Sequence, residues 1–182
     1  NYTPLFKFRK SDDLTPGGVN NRRPDRASIV YANLIRRYFK STRPIVLGGI
    51  EASLRRVAHY DYWDNKIRKS VLFDAKADFL VYGMAEKTIL DLAVSFRDNT
   101  DVKSIRGMCY ISSQPVEGYI KLPSYEEVKT DKGRFSEMYK IFAVNTDPIS
   151  AQGLCQQQDT RYLIQTPPQW NFFRQETYGD TA

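Results

Sequence analysis

Two glycine turns, one histidine and a cluster of arginines and aromatics are the residues whose types and spacing could do chemistry. Gly48-Gly49 closes the apolar run Ile45-Val46-Leu47, and Glu51 follows. Gly83 closes Phe79-Leu80-Val81-Tyr82, and Glu86 follows. Glycine at such a turn lets backbone N–H groups approach a phosphate or the edge of an extended cofactor, and it serves a tight strand-to-helix turn equally well. G-x-G-x-x-G is absent, so no dinucleotide fingerprint supports the first use. If the two strands are parallel neighbours, Glu51 and Glu86 face one crevice. There they could hydrogen-bond a ligand, cap a helix or pair with Arg55.

His59 is the single histidine, and it stands in His59-Tyr60-Asp61-Tyr62-Trp63. An imidazole beside a carboxylate can carry a proton or ligate a metal. The alternative is an aromatic packing cluster in which His59 bonds backbone or Asp61. Arg55-Arg56 and Lys66-Ile67-Arg68-Lys69 flank this pentapeptide. Arginine among aromatics suits phosphate contacts and base stacking, or a domain interface where Tyr, Trp and Arg are enriched. Cys109 falls inside an apolar run and reads as a small buried hydrophobe, while Cys155 has no partner pattern. Two remote cysteines and one histidine form neither a disulfide framework nor a zinc site, so no metal or cofactor is expected in this chain and a reducing cytoplasm is.

The elements that must position these groups follow from the pattern of apolar residues. Short β-rich runs alternating with helical stretches give βαβ units of an open parallel sheet, in which ligands sit beyond the carboxyl ends of the strands. A helix is expected from Pro24, with Ala27, Val30, Leu34 and Tyr38 as its apolar stripe, and another after Gly83 through Phe96. Lys66 to Phe73 also reads as helical, with Asp64 as its cap. Strands are expected near 105–111, 117–122 and 161–165. Ser124-Tyr-Glu-Glu127 has the form of a capping box. Gln156-Gln157-Gln158 is polar and uninformative. Residues 1–23 read as a basic loop or arm, 24–115 as the α/β core, and 116–182 as an α/β extension and linker.

Charge is uneven along the 182 residues: 1–76 hold 16 Lys/Arg against 7 Asp/Glu, and 77–182 hold 11 against 14. A basic half can attract phosphate, nucleic acid or acidic protein surface, or simply be a solvated face. No apolar run approaches membrane-spanning length, so no membrane partner is expected.

Gly48-Gly-Ile-Glu-Ala-Ser-Leu-Arg-Arg56, His59 to Trp63 and Ala77-Asp-Phe-Leu-Val-Tyr-Gly-Met-Ala-Glu86 together resemble the YgiQ-type radical SAM proteins. The resemblance is dense from Ser11 to Glu86 and continues through Arg106-Gly107, Leu122 to Val128 and Arg161 to Pro168. It implies a parent with a [4Fe–4S] cluster, S-adenosylmethionine and a C-x3-C-x2-C motif downstream of this chain, and opening strands upstream of Asn1. It also implies a Rossmann-like three-layer domain, cobalamin-binding-like or flavodoxin-like, incomplete at its N-terminal end. No D-x-H-x-x-G loop follows the first strand, so cobalamin itself is not expected. On this resemblance the chain has no means of doing the radical chemistry. It would cover the active site of its own downstream barrel or position an unknown substrate there. Gly48, Gly49, Glu51, Gly83 and Glu86 would form a ligand crevice, and Arg55, Arg56, His59, Tyr60, Asp61 and Trp63 an interface. The competing reading is a non-enzymatic nucleic-acid-binding or protein-interaction module.

Overall fold

The structure is a computed structural model that describes residue 7 and residues 10–170. The start of the basic arm and most of the linker expected toward residue 182 lie outside the described residues.

Two short apolar runs do become parallel neighbours. β1 (Val46–Leu47) pairs with β4 (Phe79–Val81), Leu47 opposite Leu80. Between them lie α2 (Gly49–Leu54), the hairpin of β2 (His59–Asp61) and β3 (Lys66–Arg68), and α3 (Val71–Ala75). The chain continues through α4 (Glu86–Asp98), β5 (Met108–Ser112), β6 (Ile120–Leu122), α5 (Tyr125–Thr130), α6 (Lys132–Val144), β7 (Leu154–Gln158) and β8 (Arg161–Gln165). The six-stranded sheet has the order β1-β4-β5-β8-β7-β6.

The α/β class and the open sheet flanked by helices agree with the expected Rossmann-like layering. The strand directions are more mixed than βαβ alternation predicts. β1–β4 and β6–β7 are parallel, whereas β4–β5, β5–β8 and β7–β8 are antiparallel. β7 and β8 are joined by a tight turn at Asp159-Thr160, which reverses the chain without a crossover helix, whereas β4 and β5 are antiparallel although α4 lies between them. Residues 116–165 thereby supply half of the sheet, with β8 in its interior.

Cross-strand register sorts side chains between two layers. One face carries Leu47, Leu80, Cys109, Leu163 and Leu154, packed with Ala32 of α1 (Ala27–Tyr38), Ala52 of α2, Leu72 of α3, Val128 of α5 and Met138 of α6. The opposite face carries Val81, Met108, Tyr110, Ile164 and Cys155 against Leu92 of α4. Both cysteines are buried, on opposite faces.

Three local expectations come out differently. Residues 66–73 are not one helix. Asn65 turns the chain at φ +49°, residues 66–68 pair with 59–61, and the Ser70 side chain, not Asp64, caps α3 by accepting from Leu72 N–H. The α1 stripe is rotated: Ile29 and Ala32 face the core, while Val30, Leu34 and Tyr38 are exposed. The Ser124 capping box does form, with Ser124 Oγ accepting from Glu127 N–H and Glu127 Oε2 accepting from Ser124 N–H at 2.7 Å.

Candidate functional site at the carboxyl ends of β1, β4 and β8

Strand polarity gathers distant segments at one end of the sheet. β1, β4 and β8 end there and β5 begins there, so Gly48-Gly49, Gly83, Arg106-Gly107 and Thr166-Pro167-Pro168 become neighbours. Hydrogen bonds join them: Tyr82 N–H to Gly107 O at 3.0 Å, Gly107 N–H to Pro167 O at 2.8 Å, and Tyr82 Oη–H to Thr166 O at 2.5 Å. Gly107 has φ +80°, and a β-carbon there would stand 2.6 Å from Thr88 Oγ1 and 3.0 Å from Gln169 Cβ, so a larger residue would pry the 166–169 segment away from α4.

A cavity of about 260 Å³ opens at this end, lined by Ser53, Arg56, Tyr82, Gly83, Met84, Thr146, Pro148, Pro168 and Gln169. Arg56 forms its inner wall. It is 9% exposed, donates from Nε to Gln165 Oε1 at 3.1 Å and from Nη1 to Ser53 O, and stands 4.5 Å and 4.3 Å from the ring centres of Tyr82 and Phe142. Burial lowers the Arg56 pKa and raises those of Tyr82 and Cys109, the thiol to about 12, because each loses hydration of its charged form. Arg106 braces the outer wall, donating to Pro148 O at 2.8 Å and Pro168 O at 2.9 Å. Ser53 Oγ accepts from Gly83 N–H at 3.2 Å, tying the end of α2 to the second glycine turn.

The expected crevice residues and the expected interface residues are mixed between two cavities. Gly83 and Arg56 line the 260 Å³ cavity. Glu51, Arg55 and Trp63 line a second one, of about 530 Å³, with Arg23, Arg26 and Asp64. Glu51 accepts from Ser28 Oγ–H and Arg55 Nη1, each at 3.1 Å. Glu86 lines neither cavity and begins α4, which covers the opposite face from α2, so the two carboxylates share an end of the sheet but not a crevice.

Within the pentapeptide, Asp61 is an internal anchor, 2% exposed. It pairs with Arg26 at 2.8 Å and accepts from Trp63 N–H at 3.0 Å. His59 is half-buried; burial lowers its pKa, its Nδ1 lies 3.2 Å from Val57 O, and among the described residues its buried Nε2 has no hydrogen-bond partner. Tyr60, Tyr62 and Trp63 are exposed. Arg23, Arg26, Arg36, Arg55 and Arg68 of the basic half are paired with Asp12, Asp61 and Asp64, Asp78, Glu51, and Asp64 and Asp74.

The glutamines are the residues that sequence reasoning missed. Gln156 and Gln158 are buried on the face that carries the 55–70 segment and satisfy its backbone: Gln156 Oε1 accepts from Ala58 N–H and Gln158 Oε1 from Ser70 N–H, each at 2.9 Å. Their i, i+2 spacing was the available signal, since alternate strand residues share a face. Among the described residues no group of three or more His, Cys, Asp or Glu stands where it could hold a metal ion, and the two thiols face opposite layers, so these residues do not fit an iron–sulfur cluster.

Fold and site define an α/β open-sheet domain whose motif-bearing segments meet at the strand carboxyl ends. The family described as Radical SAM N-terminal matches residues 1–178, and the chain belongs to it. It is 56% identical over 169 residues to a UPF0313 protein of Fusobacterium nucleatum, covering 92% of this chain and 30% of that protein. With a UPF0313 protein of Thermotoga petrophila the identity is 50% over 179 residues, covering 97% and 31%, and with one of Clostridium botulinum 47% over 173, covering 92% and 27%. The chain thus spans about three tenths of these relatives' length. No solved structure matches. Among the described residues no helix is long and apolar enough to cross a membrane.

Proposed function

We propose that this chain is the non-catalytic domain of a radical SAM protein of the UPF0313 kind, covering or positioning substrate at the mouth of a downstream catalytic barrel that holds the [4Fe–4S] cluster and S-adenosylmethionine. The observation that carries this reading is the apolar rim around the gathered segments. Ile50 and Leu54 on α2 are 81% and 70% exposed, and Met84 and Trp170 beside the cavity are also exposed. Apolar side chains of this size, set beside the two glycine turns, suit the core of an inter-domain contact. The nucleic-acid reading is weaker, because so many guanidinium groups of the basic half are engaged in ion pairs within the domain.

The test uses the longer protein. Ile50→Asp with Leu54→Asp places two charges on the rim and leaves the buried core untouched. The expected result is a loss of at least about tenfold in S-adenosylmethionine cleavage, read as 5′-deoxyadenosine release, with iron content and thermal unfolding unchanged. Cleavage at the unaltered rate would overturn the proposed docking.

A further inference from the structure

Among the described residues Arg56 is a buried cation with no carboxylate partner. The less buried arginines nearby face acids: Arg26 meets Asp61 and Asp64, and Arg68 meets Asp64 and Asp74. Among the described residues its partners are neutral: the Gln165 amide, the Ser53 carbonyl and the faces of Tyr82 and Phe142. Two aromatic faces recover part of the lost hydration of a guanidinium. They do not supply the counter-charge that a buried ion otherwise requires.

The space next to it is shaped for that counter-charge. No acidic residue lines the 260 Å³ cavity. Arg56 commits Nε and Nη1 to the protein, and among the described residues Nη2 donates to nothing. Gln165, 1% exposed, lies behind the cavity lining; among the described residues its Nε2 makes no hydrogen bond of normal geometry, and its amide stands beside the Tyr82 hydroxyl. Ser53 adds a hydroxyl, the Thr146 hydroxyl donates to Ala143 O, and a second guanidinium, that of Arg106, donates to the carbonyls of Pro148 and Pro168, which also line the cavity. The volume is below the roughly 300–1,000 Å³ usual for a whole drug-sized ligand, so it suits one end of a molecule.

We infer that the cavity at the carboxyl ends of β4 and β8 is an oxyanion subsite, in which Arg56 holds the phosphate or carboxylate end of a ligand whose remainder leaves past Gly83 and Met84. A guanidinium matches either oxyanion through parallel N–H donors. Gly83, at φ +69° and with nothing within 4 Å of where a β-carbon would lie, keeps the exit open. The subsite lies wholly within this chain and stands apart from the docking proposal: a rim variant that uncouples the barrel should still bind the anion.

The test is an amide and arginine-Nε NMR titration of the chain with sodium phosphate, and separately sodium acetate, at ionic strength fixed with sodium chloride. One or both anions should give saturable shifts at Arg56 Nε–H and at the Gly83 and Met84 amides. Phosphate alone would identify a phosphoryl end, acetate alone a carboxylate. Arg56→Lys should keep binding but weaken it about tenfold, and Arg56→Met should abolish it. If Arg56→Met fails to fold, the unaltered protein still decides. Shifts that follow chloride equally, or that saturate while Arg56, Gly83 and Met84 stay still, would overturn the assignment, as would no shift with either anion.

Discussion

Replacing Gln156 with leucine should unfasten the segment that carries Arg56 and the aromatic pentapeptide. Gln156 is 1% exposed and makes four contacts: it accepts from Ala58 N–H and from Gln158 Nε2, both at 2.9 Å, and donates to Pro123 O at 2.9 Å and to Met138 Sδ at 3.1 Å. Leucine has a similar volume, so little cavity is left. Instead a backbone N–H, a backbone carbonyl and a side-chain amide lose their partners inside the core. Each orphaned group costs roughly 1–3 kcal/mol. Partial relaxation and the added apolar burial of leucine reduce the total to about 3–5 kcal/mol, a large share of a typical domain stability of about 5–15 kcal/mol. Equilibrium urea unfolding followed by tryptophan fluorescence measures it. The control is Gln157→Ala on the exposed alternate position, whose side chain donates to Asp159 O; it should change stability by about 0.5 kcal/mol or less. A loss below about 1 kcal/mol for Gln156→Leu would refute the idea that these amides fasten residues 57–70 to the sheet.

Leu80→Ala should cost about 2–5 kcal/mol, because Leu80 is fully buried between Leu47 and Cys109 on the larger core face; a loss under about 0.5 kcal/mol would contradict the register of β1, β4 and β5. Glu127, held by Ser124 N–H, Ser124 Oγ and Arg134, has its carboxyl pKa lowered to about 2. A depressed folded-state value means stability that is present above the unfolded value near 4.3 and lost as pH falls through about 2. The stability gap between the native chain and Glu127→Gln should therefore be steady from pH 7 to 5 and close on the acid side, and a gap independent of pH down to 2 would remove the capping box from the account.

What was legible in the sequence is what short stretches encode. The two glycine-closed strands, the helix after Gly83 and the Ser124 capping box depend on residues within a turn or two of each other, and all three appear in the fold. Position along the strand also placed the two glycine turns at one end, because parallel neighbours share a polarity. The failures are non-local. Ile67, Val71 and Leu72 have helical spacing, but the spacing spans the cap at Ser70, and residues 66–68, just past a turn at Asn65, find their partners at 59–61. Nothing near Gln156 tells that Ala58, 98 residues earlier, needs an acceptor. Arg56 and Asp61 are basic and acidic residues in an aromatic stretch, and only the fold shows that both are buried. The rotation of α1 was equally hidden, since its sequence offers two apolar stripes and packing on α3 selects the one through Ile29 and Ala32.

The position of β8 constrains how the domain can be made. Its five residues, 161–165, fill the gap between β5 and β7, so the sheet stays split until nearly all of the described chain has been synthesised. Before that moment β5 presents a bare edge with Cys109, Tyr110 and Ile111 on it, the kind of edge that recruits foreign strands. Closing it requires contacts such as Arg56 to Gln165, 109 residues apart, and pairings of such long range form slowly. A nascent chain that pauses short of residue 161 would therefore be an aggregation hazard, and any attempt to cut the molecule near residue 115 would yield two halves that each retain an unsatisfied edge.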